Sequence, residues 1–129
     1  MRISSRIAAL ALLPLVAAVG PAAAEVKLAF IDPLSGGAAS AGINAQKHFT
    51  YEIDKLNAAG GLNGEKLSIT YYDNKVDPQE SLIALKKALD EGARYVFQGN
   101  GSAVALAITD AVQKYNERNP GKEDRKSVV

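Results

Sequence analysis

One local pattern occurs three times along most of this chain: an apolar run of strand length, a loop rich in glycine or aspartate, and an amphipathic helix. The strands are predicted at residues 26–31, 67–72 and 95–98, where β-branched and aromatic side chains are frequent. Strands that alternate with helices imply right-handed crossovers and a parallel sheet with helices on both faces. The expected fold class is therefore α/β, with βαβ units in three layers.

The helices between the strands have recognisable start and stop residues. The first is expected over residues 43–59, after a loop at 34–42 that contains several glycines. The second begins at Asp77, which can cap it, with Pro78 at the first helical position. The third follows the glycine-rich segment 99–102. The side chains predicted to face the core are Phe49, Ile53 and Leu56, then Leu82, Leu85 and Leu89, then Val104, Ile108, Val112 and Tyr115.

A different pattern precedes the first strand. Two arginines give the start a positive charge, residues 7–19 are apolar, and small side chains precede a predicted cleavage after Ala24. This is the layout of a secretory signal peptide. The apolar stretch is too short for a membrane anchor, which needs about 20 residues. We therefore expect residues 1–24 to be removed and the mature protein to be periplasmic, without membrane insertion.

Composition excludes several classes of function. The 15 basic and 14 acidic residues give a net charge of +1 without a basic cluster, so nucleic acid is not an expected partner. The chain has no cysteine, which excludes disulfides, thiolate metal sites and the lipid attachment of bacterial lipoproteins. Gly99 and Gly101 lack the third glycine of a dinucleotide fingerprint, since Val104 stands in its place. His48, the single histidine, falls on a predicted exposed helix face, so no catalytic residue or cofactor is expected.

The loops that follow parallel strands meet at one edge of the sheet, and ligands of such folds bind there. These loops cover residues 32–42, 73–77 and 99–102. Asp32, Asp73 and Asp77 lie at this edge and could offer oxygen ligands to a cation. Turn and cap chemistry already accounts for Asp73 and Asp77, so no metal site is expected.

Several segments resemble the branched-chain amino acid ABC transporter substrate-binding proteins, which are type I periplasmic binding proteins. The most diagnostic string is Asn-Ala-Ala-Gly-Gly-Leu-Asn-Gly at residues 57–64. The other matching segments are residues 28–36, 53–56, 72–74, 77–78 and 98–102. The resemblance covers residues 25–122, which are interpreted as part of the N-terminal lobe of a two-lobed ligand-binding domain.

The resemblance implies a function in transport. Family members capture a small molecule, here expected to be an amino acid, and deliver it to an ABC permease in the inner membrane without catalysis. The family commonly holds the ligand's carboxylate in the loop after the third strand, which makes Asn100, Gly101 and Ser102 candidate ligand-binding residues. Ser40 in the first loop is a further candidate. A hydroxyl at the amino end of a helix suits an anion, although Ser102 as a plain N-cap is the alternative.

Two departures from the family bear on specificity. Small residues occupy 38–41, where some members place an aromatic side chain over the ligand. Val76 and Gly101 stand where some members have a disulfide.

Two other functions stay open: a periplasmic sensor that signals to a membrane receptor, and an exported doubly wound α/β enzyme.

The chain is expected to be an N-terminal fragment of such a protein. Residues 123–129 are interpreted as a tail outside the family, because the charged segment 124–129 does not resemble a buried parallel strand. This segment also matches the translation of a common sequencing adapter, which indicates an artefactual tail; a chance tail is the alternative. Without a second lobe, the chain alone is expected to be marginally stable and to lack ligand affinity.

Overall fold

The computed structural model describes residues 25–121 and 126–128. The predicted signal peptide and its cleavage site at Ala24 lie outside the described residues. The elements are, in chain order, β1 (Glu25–Asp32), α1 (Ala39–Ala58), β2 (Lys66–Asp73), α2 (Pro78–Asp90), β3 (Tyr95–Phe97), α3 (Ser102–Arg118) and β4 (Lys126–Val128). None of the described helices combines the length and the apolar character needed to cross a membrane.

The strands form one parallel sheet in the order β2-β1-β3-β4, so the predicted α/β class is confirmed. β1 pairs with β2 over its whole length, with Asp32 opposite Asp73 at the end. On its other side, β1 pairs with β3 only as far as Phe30, which lies opposite Phe97. The first strand of the chain is therefore central, and the last two residues of β1 extend beyond β3.

Helices pack on both faces of the sheet. The larger apolar core lies between the sheet and the pair α2 and α3. Its members include Ala29, Ile31, Leu85, Leu89, Val96, Val104, Ile108 and Val112. A smaller core joins Ile53 of α1 to Val26, Leu28 and Leu67 on the opposite face. The predicted core positions of α2 and α3 are thus confirmed.

The face that carries α1 is only partly covered. An apolar groove of about 470 Å³ lies beside the helix, with Val26, Leu28, Tyr95 and Phe97 along it. Leu56, which the helical spacing predicts to be buried, borders this groove and is 41% exposed. The prediction for Leu56 is wrong because α1 has no neighbouring helix on this face among the described residues.

The start of α1 differs from the prediction. The helix begins at Ala39 rather than at residue 43, so Ser40 lies in its first turn and not in a loop. Gly42 lies inside the helix, where a Cβ atom would come within 1.9 Å of the carbonyl oxygen of Pro33. Gly42 permits α1 to approach the end of β1 closely and does not mark a loop.

The expectation for the end of the chain is also wrong in part. Residues 126–128 form a short parallel strand beside β3, although their composition does not predict one. The exposed edge of β3 offers unpaired backbone N–H and C=O groups, and pairing with them depends little on side-chain type. The assignment of residues 123–129 to a tail outside the family remains a prediction.

Candidate functional site

The loops after β1, β2 and β3 meet at the carboxyl edge of the sheet, as predicted. Asp32 and Asp73 end adjacent strands in register, and β3 ends beside them at Phe97. α1, α2 and α3 each begin just after one of these loops, so their N-termini point to the same edge. The positive ends of the helix dipoles therefore face this edge.

Asp32 fixes the loop between β3 and α3. Its side chain is fully buried, and its Oδ1 atom accepts hydrogen bonds from the backbone N–H of Asn100 at 3.0 Å and of Gly99 at 3.3 Å. Its Oδ2 atom accepts a third from Asn100 Nδ2 at 2.6 Å. The buried Gln98 side chain donates to the carbonyl of Asn100. Asn100 is consequently held through its backbone and its side chain.

Asp73 has the corresponding role for the loop after β1. Its carboxylate accepts from the Leu34 N–H at 2.9 Å, the Lys75 N–H at 3.1 Å and the Ser35 hydroxyl. Burial alone would raise the pKa of Asp73, but the hydrogen bonds from Ser35, Leu34 and Lys75 outweigh burial and lower it. The carboxylate is therefore ionised at neutral pH. The bond to Lys75 confirms the predicted turn role of Asp73.

The loop after β2 is a tight turn built on Asn74. This buried side chain donates to the Ile31 carbonyl at 3.4 Å and accepts from the Val76 N–H at 3.0 Å. Lys75 and Val76 both have left-handed backbone, with φ of 51° and 61°. Asp77 then caps α2 by accepting from the Glu80 N–H at 2.8 Å, which confirms its predicted role.

The loop after β3 ends at Gly101, the N-cap of α3. Gly101 has φ of 96°, and a Cβ atom there would lie 3.0 Å from Cγ1 of Val76. Positions 76 and 101 thus lie close together in the folded chain. Gly101 occupies the N-cap position and Ser102 is the first helical residue, so the alternative assignment of Ser102 as the N-cap is wrong.

The predicted site residues fall into two groups. Asn100, Gly101 and Ser102 form one segment at the N-terminus of α3, where Ser102 is exposed and the first N–H groups have no acceptor within the helix. Ser40 is exposed in the first turn of α1, on the other face of the sheet but at the same edge.

The sequence pattern indicated a possible role of Asp32 only as an oxygen ligand of a cation. Its carboxylate instead accepts three N–H hydrogen bonds, and the residues that the structure describes contain no group of three or more His, Cys, Asp or Glu placed to hold a metal ion. The sequence signal for a loop-holding role is an acidic residue that ends an apolar strand just before Pro33. A buried carboxylate at such a position requires several donors.

Comparison with known proteins defines the class. The family model of periplasmic binding proteins matches residues 25–117, and the chain belongs to this family. More particularly, the chain is 44% identical over 115 residues to Leu/Ile/Val-binding protein homolog 4 of Brucella abortus, an alignment that covers 89% of this chain and 28% of that protein. The resemblance to Leu/Ile/Val-binding proteins is thus confirmed.

Solved structures agree in fold. A leucine-, isoleucine-, valine-, threonine- and alanine-binding protein from Brucella ovis, in its closed conformation, aligns with a TM-score of 0.72 and 44% identity over 78% of this chain and 26% of its own. A branched-chain amino acid transporter substrate-binding protein from Streptococcus pneumoniae, in complex with isoleucine, aligns with a TM-score of 0.64 and 25% identity, over 70% and 26% of the two chains. This chain therefore spans about a quarter of the length of these relatives.

Proposed function

We propose that this chain is the N-terminal part of a periplasmic substrate-binding protein that supplies an ABC transporter with amino acids of the branched-chain type or related small molecules. The observation that carries the proposal is the exposed N-terminus of α3 on a fixed loop, in a chain that belongs to a binding-protein family. The names of the Brucella and Streptococcus relatives support an amino acid as ligand.

The α-carboxylate of such a ligand would lie at the N-terminus of α3. The N–H groups of the first turn and the Ser102 hydroxyl are donors, and the helix dipole favours a negative charge there. Gly101 has no side chain and its N-cap position is exposed, so a ligand can approach the backbone. Ser40, at the same edge, is available for a second polar contact.

Binding without catalysis accounts for the polar groups at this edge. Asp32 and Asp73 accept hydrogen bonds that hold loops, and His48 is exposed on α1, so none of them forms a nucleophile–base pair at the edge.

Cleavage before Glu25 would release the mature protein into the periplasm, where the inner-membrane permease would be its partner. Export in a bacterial host followed by mass determination tests this, and an uncleaved product would contradict it.

The binding function is tested on the full-length protein with a thermal-shift screen of amino acids, small amides and carboxylates. An amino acid is expected to raise the melting temperature, because a ligand that binds only the native state stabilises it. Ser102→Ala should then weaken binding by about 1 to 3 kcal/mol, the usual effect of losing a hydrogen bond to a charged group. Thr109→Ala, an exposed position further along α3, is the control. A screen in which no amino acid stabilises the protein would contradict the proposal.

A further inference from the structure

We propose that Asp32 is a positioning residue of the ligand site: its carboxylate holds the segment of Gly99 and Asn100 so that the N-terminus of α3 is presented to the ligand. The inference rests on the proposed function. Its physical basis is the buried side chain of Asp32, at the end of the central strand. All hydrogen bonds of this side chain go to the loop that precedes α3.

The sheet leaves this loop without backbone support. β3 is only three residues long and its pairing with β1 ends at Phe30 and Phe97. The carbonyl of Asp32 accepts instead from the Asn74 N–H at 3.2 Å, on the β2 side. The Asp32 side chain therefore links β1 to the segment after Phe97. It replaces the backbone hydrogen bonds between β1 and β3, which end where β3 leaves the sheet.

The chemistry of the contact requires a carboxylate. Three N–H groups converge on two oxygens, and Asp is an acceptor at both. An Asn side chain has nearly the same shape but carries one uncharged acceptor oxygen. If this oxygen faces the backbone N–H groups of Gly99 and Asn100, the NH₂ group faces the Asn100 Nδ2 donor. Asp32→Asn therefore removes part of the hydrogen bonding and changes the volume of the buried site very little.

Asp73 does not substitute for this function. Its hydrogen bonds hold Leu34, Ser35 and Lys75, which belong to the loops after β1 and β2. Among the described residues, two side chains form hydrogen bonds with the segment of Gly99 and Asn100 that leads into α3. They are those of Asp32 and Gln98. Loss of the Asp32 carboxylate is thus expected to act on α3 and its N-terminus.

Two measurements test the proposal with Asp32→Asn. In the full-length protein, affinity for the amino acid found in the screen should fall about tenfold or more while the protein remains folded. In the same variant, the backbone amides of Gly99 and Asn100 should exchange with solvent about tenfold faster, as expected when hydrogen bonds to a charged oxygen become weaker bonds to a neutral one. Val112→Ala, a buried position of α3 remote from the loop, is the matched control: it should lower stability but leave both readouts unchanged.

Unchanged affinity in folded Asp32→Asn would overturn the proposal and leave Asp32 a purely structural residue. If the unsubstituted protein binds no amino acid, the proposed function fails, whereas the amide exchange still reports whether Asp32 holds the loop. If Asp32→Asn does not fold, amide exchange in the unsubstituted protein decides instead: the backbone amides of Gly99 and Asn100 should be protected, and exchange as fast as that of an exposed loop amide would contradict the proposal.

Discussion

Asp32 and Asp73 lie opposite each other at the ends of adjacent parallel strands, and each carboxylate holds the loop of the next strand in the sheet. Asp73, on β2, binds the Leu34 N–H in the loop after β1. Asp32, on β1, binds the Asn100 N–H in the loop after β3. Two side chains of one type thus order neighbouring loops at the edge where ligands of this fold class bind.

Acid should weaken the fold through Asp73. Its pKa in the folded state lies below the ordinary value, so its contribution to stability is fully present above that ordinary value, about 3.9, and is lost as the pH falls through the lower folded value. Asp73→Asn should be less stable at neutral pH and should lack this part of the acid dependence. Urea unfolding between pH 7 and about pH 2 measures both. Asp54→Asn, an exposed carboxyl on α1, is the control, and parallel pH curves for Asp73→Asn and the unsubstituted protein would contradict the prediction.

High pH should lower the stability of the fold through ionisation of Tyr72. Burial, then the hydrogen bond to Glu91 and the negative charge of Glu91, raise the pKa of Tyr72 to about 12. The protonated phenol stabilises the fold below the ordinary pKa of 10, and this contribution is lost as the pH rises from about 10 through about 12. Tyr72→Phe should remove a tyrosinate step near pH 12 seen by ultraviolet absorbance, whereas Tyr51→Phe, at a tyrosine that is 64% exposed, is the control and should leave this step in place. A step near pH 12 that persists in Tyr72→Phe would contradict the prediction.

Val76 should be a site of easy stabilisation. A β-branched residue with φ of 61° is strained, and left-handed backbone costs about 1 to 2 kcal/mol for most L-residues. Asn tolerates this conformation, so Val76→Asn should raise the free energy of unfolding by about 1 kcal/mol. Val76→Ala, which removes the branch but keeps a Cβ without a polar group, should gain less. Chemical denaturation measures both variants, and a loss of stability in Val76→Asn would mean that the contact of Val76 with Gly101 outweighs the strain.

Gly37, in the loop after β1, and Gly42, inside α1, should respond differently to alanine. A Cβ at Gly42 would overlap the Pro33 carbonyl at 1.9 Å, so Gly42→Ala should destabilise by about 1 to 3 kcal/mol through overpacking. A Cβ at Gly37 meets no atom within 4 Å, and Gly37→Ala should be neutral or slightly stabilising. Thermal unfolding of the pair is the measurement. Equal effects would indicate that α1 can shift away from Pro33 without loss.

Features that depend on neighbouring residues could be predicted from the sequence, and those that depend on distant ones could not. The cap of α2 is local, since Asp77 binds an N–H three positions along the chain. The start of α1 depends on the contact between Gly42 and Pro33, which only the folded chain defines. The hydrogen bonds of Asp32 join residues 67 and 68 positions apart, and no local pattern indicates which donors a buried carboxylate will find.

The central position of β1 has a consequence for the order of folding. β1 is the first strand of the described chain, but β2 and β3 both pair with it and not with each other. A chain that emerges from its N-terminus would therefore present an unpaired apolar strand until Lys66–Asp73 has followed. Pairing between distant segments is slow because the intervening loop must close first. Substitutions in β1 should accordingly slow refolding, whereas those in the short strand β3 should mainly accelerate unfolding.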